Sequence, residues 1–488
     1  MTHTHNVKSS PKKAGRRVSL TTRCLSAVGL AALMTLGVSA DDVTAQVDQS
    51  DTYSGGKARV NNSAKLRALA EGISAASCRM AAGIDAEATG TALAAMQNNF
   101  NTILTGLEQG SSAMGMPGEE RGSAVLKSIW AVQEDWAPMD AAVAGMLNGN
   151  TDDASVIRSG HSALFEHALI LASDVSGAYS DPQELLQSDA ITFNFIGRQR
   201  ELANSMSRMV CELATGTASD GTRDELKQAV NLFDASLNAL RNGFPDAGIS
   251  PPPNDAVAGS LAQMAELWSE DKAIFDAVLG GAEASEDDVM RAAALVDQLG
   301  VVINNTVTLY LISTPGQDGV YRVPLEAFAR NELSKWLTDP ALLDALRAQN
   351  TTHDGLSEDE VIALDQQWRA EAESGDGPLI NEVLSQPVSA WLLDQQNATA
   401  GFVTEVFVMD NKGLNVAQSA VTSDYWQGDE AKWQETYKLG NDALHISEVE
   451  FDDSTGYYQS QASMTITDPD TGEAIGAITF GVNVQSLM

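Results

Sequence analysis

Basic residues are scarce in this chain of 488: 30 Lys and Arg stand against 66 Asp and Glu, a formal net charge of −36. Nucleic acid and anionic membrane, themselves polyanions, are thereby excluded as partners. Catalytic signatures are missing too. His161, His167, His353 and His445 are scattered, no HExxH, GxSxG or CxxC occurs, and the many carboxylates show no metal-loop spacing. "DNKG" and "DPDTGE" read as hairpin turns ahead of calcium loops. No cofactor or metal is expected, and the chain is not expected to be an enzyme. Beyond residue 40 no window approaches 18 uninterrupted apolar residues, so no membrane span is expected there. Cysteine occurs three times.

What is present begins with residues 1–40. Lys8, Lys12, Lys13, Arg16, Arg17 and Arg23 precede the apolar run "CLSAVGLAALMTLGVSA", and Val38-Ser39-Ala40 offers small residues for cleavage. This is the pattern of a secretory signal. Its removal takes six basic and no acidic residues, leaving 24 Lys and Arg against 66 Asp and Glu, a net charge of −42. Cys24 leaves with it. Cys78 and Cys211 remain in an oxidising compartment, expected to be the periplasm, where a pair is more readily bridged than free.

The exported length predicts two to four domains, and the chain contains itself twice. An offset of 133 residues places "VNNSAKLRALAEGISAASCRMAAG" (60–83) on "FNFIGRQRELANSMSRMVCELATG" (193–216). Lys65 falls on Arg198, Arg67 on Arg200 and Cys78 on Cys211, and further along Phe100 falls on Phe233 and Leu104 on Leu237. The offset wavers around "GMPGEERG" and "GISPPPND" and is expected to return, with Val156 and Arg158 on Val289 and Arg291. Phe100, Ile103, Leu104 and Leu107 mark one face of a helix. Each copy predicts four helices, 60–83, 86–109, 119–147 and 152–179 in the first, hence an antiparallel four-helix bundle. Arg67 and Glu71 share a helical face and predict a local ion pair.

After "STPGQDG" the rhythm changes. One helix is predicted over 325–349, a second over 357–373, and shorter ones to about 397. The strands that follow are "FVTEVFVMD", "GLNVAQS", "HISEVEFDD", "YYQSQASMTITD" and "AIGAITFGVNV", with one internal helix, "GDEAKWQETYK". Helices followed by an antiparallel meander indicate an α+β domain. The fold class is therefore multidomain: two all-α antiparallel four-helix bundles (55–182 and 190–314) and an α+β domain (320–488), after a signal peptide (1–40).

"NxxGRQRxLxxxMxxxxC" in 194–211 resembles the opening helix of the type IV pilus methyl-accepting chemotaxis transducer N-terminal (PilJ-type) module, itself similar to the four-helix bundle of nitrate and nitrite sensor kinases. The second copy carries Gly197, Arg198, Gln199, Arg200, Leu202 and Met206; the first has Leu66 in place of Gln199. In that family paired bundles hold an anion between arginines of their first helices. The resemblance thus implies an anion site at Arg67, Arg198 and Arg200, with the tandem copies acting as a pseudo-dimer. An approximate two-fold between the copies would bring Cys78 and Cys211 together as a disulfide; two buried apolar thiols are the alternative.

Residues 320–488, through "EVFVMDNKGLNVAQS" with its Asp410 and Gly413 turn, "TSDYWQGDEAKWQETY" and the final "GAITFGVNV", resemble single Cache (PAS-like) sensor domains. Such domains hold ligand between the sheet and the loop and helix after the second strand. Mapped here, this implies Ser419, Asp424, Tyr425, Trp426, Trp433 and Tyr437. Trp433 and Tyr437 read equally as helix-to-sheet packing. Together the resemblances imply a periplasmic sensory protein for a small anion or carboxylate, signalling through a separate membrane receptor (a chemoreceptor, histidine kinase or cyclase). The alternative is a cell-envelope scaffold that only docks other proteins.

Overall fold

A computed structural model describes residues 55–179, 187–314 and 319–487; the signal sequence and most of the 313–319 linker lie outside the described residues. Helices α1 (Gly56–Ala81), α2 (Ala86–Gln109), α3 (Ser123–Leu147) and α4 (Ala154–Tyr179) pack as a ring, each on its neighbours, and α1 closes on α4. Leu66, Ile73, Phe100, Ile103, Leu107, Ile129, Trp136, Leu164 and Leu171 fill the centre. Helices α5 (Gln187–Ala214), α6 (Thr222–Asn242), α7 (Asp255–Leu279) and α8 (Glu286–Ser313) repeat the arrangement. The two cores share details. Phe100 lies 4.2 Å from Trp136 and Phe233 lies 4.4 Å from Trp268, while the indoles donate to Asn101 and Asp234, both at 2.6 Å.

The repeat departs from its expected register in its second half. The offset holds through the turn after the second helix, where Ser111 bridges Met116 and Phe244 bridges Ile249. One residue is then lost, because α3 starts seven residues after Met116 and α7 six after Ile249. The offset does not return to 133. Val156 is 38% exposed whereas Val289 is fully buried, so Ile157, also fully buried, is the true counterpart of Val289.

The C-terminal part adds α9 (Arg322–Asn331), α10 (Pro340–His353), α11 (Glu358–Ser374), α12 (Pro378–Leu384), α13 (Pro387–Asn397) and the short α14 (Ala431–Gln434). Its strands are β1 (Val403–Met409), β2 (Asn415–Gln418), β3 (Leu444–Ile446), β4 (Glu450–Asp452), β5 (Tyr457–Thr467) and β6 (Ala474–Val482). They form an antiparallel sheet in the order β2-β1-β6-β5-β3, with β4 on β5. Leu325, Phe328, Trp336, Leu346 and Leu392 cover the face presented by Val406, Val408, Ile466, Ile478 and Phe480. Trp433 packs on the other face against Phe407, Met409 and Ala477.

Three expected elements are broken. The helix expected over 325–349 becomes α9, a 3-10 stretch (Leu333–Thr338) and α10, because Asp339 caps a new helix at Ala341 N with Pro340 in its first turn. The "HISEVEFDD" strand splits, because residues 447–449 face only 460–461 on β5, one residue too many for continuous pairing. "GDEAKWQETYK" holds a single helical turn, followed by a 3-10 turn at Tyr437–Leu439.

The turn between β1 and β2 is held by Asp410, which is fully buried and accepts from Lys412 N at 2.8 Å, Leu414 N at 3.0 Å and Gln349 Nε2 at 3.0 Å, with His353 Nδ1 at 2.7 Å. Gly413 sits there at φ 85°, and a Cβ would lie 2.4 Å from Gly428 Cα. Gly413→Ala is expected to lower the unfolding free energy by about 2 kcal/mol, read by urea denaturation.

Among the described residues one helix, α8, is long and apolar enough to cross a membrane, and half of its apolar window is buried inside the protein. A capping box of Ser285 and Asp288 starts it. Leu299 and Ile303 belong to the second bundle's core and Leu311 to the sheet's core, so α8 joins the two as one rod. Asn305 fixes the contact, donating to Gly456 O at 3.0 Å and accepting from Tyr458 N at 3.1 Å.

Candidate functional site

The first helices of the two copies, α1 and α5, run side by side. Arg67 meets Glu201 at 3.4 Å, Arg208 meets Glu71 at 2.8 Å, and Cys78 is joined to Cys211 by a disulfide with Cα atoms 6.2 Å apart. Residue numbers rise together on both sides, so the pairing is parallel and nearly in register. A small residue permits it: a Cβ on Gly72 would lie 3.0 Å from Asn204 Oδ1.

Ion pairs along this seam differ from the expected local ones. Arg67 pairs across to Glu201 and not with Glu71, because the parallel partner presents a carboxylate at the same height. Glu71 is left to Arg208, with His161 Nε2 of α4 at 3.2 Å. Burial alone would raise the Glu71 carboxyl, but His161 and Arg208 beside it hold it below the usual range. Arg208 also takes Glu212 at 2.9 Å. Glu201 shifts upward, because burial outweighs the attraction of Arg67 and Arg198.

Near the start of the seam two cations lack a counter-charge. Lys65 donates to Ala400 O at 3.4 Å, and Arg200 donates to Asn304 Oδ1 of α8. Both acceptors are neutral, and among the described residues neither cation makes an ion pair. Arg200 Nε is buried without a hydrogen-bond partner. Burial and then the neighbouring charge of Arg200 push Lys65 down from 10.5 to about 8, and burial also depresses Arg200. The surroundings belong to three parts of the fold. Asn61 of α1 donates to Ser486 Oγ at 2.8 Å, while Gln485 Nε2 donates to Asn304 O at 2.7 Å and Thr308 Oγ1 at 2.9 Å of α8. Lys65 and Arg200 are near enough for their charges to interact, where α1, α5, α8 and the C-terminal domain meet.

Residues 185–292 match the family described as type IV pili methyl-accepting chemotaxis transducer N-term. The matched transducer-type segment spans α5, α6, α7 and the first turns of α8. It points to a signalling or sensory role and to interaction with signalling components. No curated protein and no solved structure matches the chain.

The three arginines assigned by sequence do not share one environment. Arg200 lies at the uncompensated junction, Arg67 is spent on Glu201, and Arg198 is exposed at the periphery. Lys65, which the repeat aligns with Arg198, is the residue the assignment missed; its retained positive charge in both copies was the available signal. Asn304 carries no sequence mark.

The six C-terminal residues all have protein partners. Ser419 Oγ accepts from Val406 N at 2.9 Å, Asp424 pairs with Arg369 at 3.0 Å, and Trp426 Nε1 donates to Lys412 O at 2.9 Å. Tyr425 is buried with its ring 5.3 Å from Trp368. Trp433 is buried, donates to Asp410 O at 3.0 Å and stacks on Tyr437 at 5.1 Å. Here the packing reading of Trp433 and Tyr437 describes their contacts, the two residues lying on successive turns and not on one helix.

Proposed function

We propose that this protein is a periplasmic sensor that binds a small anion at Lys65 and Arg200 and reports its occupancy to a separate membrane receptor. One observation carries the reading: two half-buried cations lie close enough for their charges to interact and have only neutral acceptors, an arrangement that costs free energy until an anion enters. The transducer-type match of residues 185–292 supports a sensory role for the bundle that supplies Arg200. The first bundle is read as a second, diverged copy of that module and the C-terminal domain as Cache-like, with the segment after β2 packed over the sheet through Trp433.

Binding acts by population shift. The anion removes the repulsion between Lys65 and Arg200 and favours the conformation in which α1, α5, α8 and the C-terminal domain are drawn together. A chemoreceptor, histidine kinase or cyclase that reads this conformation is the partner. Thermal unfolding with nitrate, nitrite or acetate tests the site. At a hundredfold excess over Kd, a ligand bound only by the folded state adds about 2.7 kcal/mol. That gain is expected to vanish in Lys65→Gln and in Arg200→Gln. A folded protein stabilised by none of these anions would favour the scaffold reading, and a gain that survives both substitutions would remove Lys65 and Arg200 as the site.

A further inference from the structure

At the other end of the α1–α5 seam, between the last turns of these helices and the first turn of α4, lies a cleft of about 250 Å³. Ser74 and Cys78 of α1, Arg158 of α4, and Glu212, Thr215 and Thr217 at the end of α5 line it. At about 1.5 Å rise per residue, Cys78 is roughly 20 Å along α1 from Lys65, so this is a different place from the anion junction.

The lining of the cleft carries charges of both signs. Glu212 is 7% exposed and shares the guanidinium of Arg208 with Glu71, two carboxylates on one cation. At its rim Arg158 is exposed, and among the described residues it makes no ion pair. The same lining holds the hydroxyls of Thr215 and Thr217, 2.9 Å apart, and the sulfur of Cys78, 3.7 Å from Thr215 Oγ1. The remaining walls are alanines, which leave space only for a short apolar group. The volume is below the ~300 Å³ at which pockets for drug-sized molecules begin.

We infer that this cleft binds a small zwitterion of the α-amino acid class, its ammonium on Glu212 and its carboxylate on Arg158. Such a ligand touches α1 and α4 of the first bundle and α5 of the second, and so clamps the bundles beside their covalent link. The inference stands apart from the anion junction, because the two sites share no residue.

Calorimetric titration of the purified protein with glycine, L-alanine and L-serine is the test, with acetate and methylamine as the two halves of the zwitterion. Saturable binding of at least one amino acid is expected, weakened tenfold or more by Arg158→Ala and by Glu212→Gln and unchanged in Arg200→Gln. Arg158 is exposed and unpaired, so its removal leaves the fold intact. Acetate and methylamine are each expected to bind at least tenfold more weakly. The inference is overturned if none of the three amino acids binds at millimolar concentration, if Arg158→Ala leaves binding unchanged, if Arg200→Gln abolishes it, or if acetate alone binds as well.

Discussion

Glu405→Gln is expected to be more stable than the native protein at pH 8, and the advantage should shrink by about 3 kcal/mol as the pH is lowered to 4.5. Glu405 lies on β1, 5% exposed, with Oε1 accepting from Gln459 Nε2 at 2.6 Å and Gln461 Nε2 at 3.0 Å. Burial, then the charge of Asp452 on β4, push its carboxyl up from 4.5 to about 7, against the opposing pull of Gln461, Lys432 on α14 and Gln459. Between these values the folded chain holds a proton that the unfolded chain has released. Stability from this group is therefore complete below about 4.5 and lost as the pH rises through 7. Glutamine keeps the shape and never ionises. Urea denaturation of both proteins at pH 4.5 and 8 reads the difference; a difference independent of pH would remove Glu405 as its source.

Loss of the disulfide is expected to cost about 2–4 kcal/mol. Cys78 and Cys211 are 133 residues apart, so the bridge closes a long loop and removes much of the unfolded chain's freedom. The double substitution Cys78→Ser with Cys211→Ser avoids a stray thiol. It should lower the urea midpoint, and reductant should lower that of the native protein and leave the variant unchanged. Equal midpoints with and without the bridge would mean that packing of α1 on α5 alone sets their contact.

The sequence carries the bundles more clearly than the sheet domain, for physical reasons. A four-residue periodicity repeated twice leaves little freedom, and Phe100, Leu104 and Leu107 with their counterparts Phe233, Leu237 and Leu240 are all buried. The lost residue after Met116 left no mark in composition, because it falls in a polar loop. Burial resolves it through Ile157 and Val289. In the C-terminal part, Asp339-Pro340 was a readable break, whereas the extra residue in 447–449 depends on what β5 presents opposite. The seam was half legible. Charge at equal positions in both copies marked Arg200 and offered Lys65, which the assignment left out, but the choice of Glu201 for Arg67 and of Arg208 for Glu71 follows from a parallel contact that only the folded chain creates.

Lys65 and Arg200 each reach the C-terminal domain by a short route. Arg200 reaches Asn304, whose carbonyl accepts from Gln485, while Lys65 on α1 reaches Ala400 just before β1. In the proposed reading, an anion between the two cations would act on both the rod α8 and the segment that leads into β1.

Titration of the protein with nitrate at pH 8, in two buffers of different ionisation enthalpy, tests whether Lys65 and Arg200 form an anion site. Lys65, depressed to about 8, is half protonated there. Bound anion restores its ordinary affinity for the proton, so binding should take up about half a proton and the two buffers should report different heats. The expected result is proton uptake that disappears in Lys65→Gln. Binding without proton uptake, or no binding of nitrate, nitrite or acetate at any pH, would contradict it.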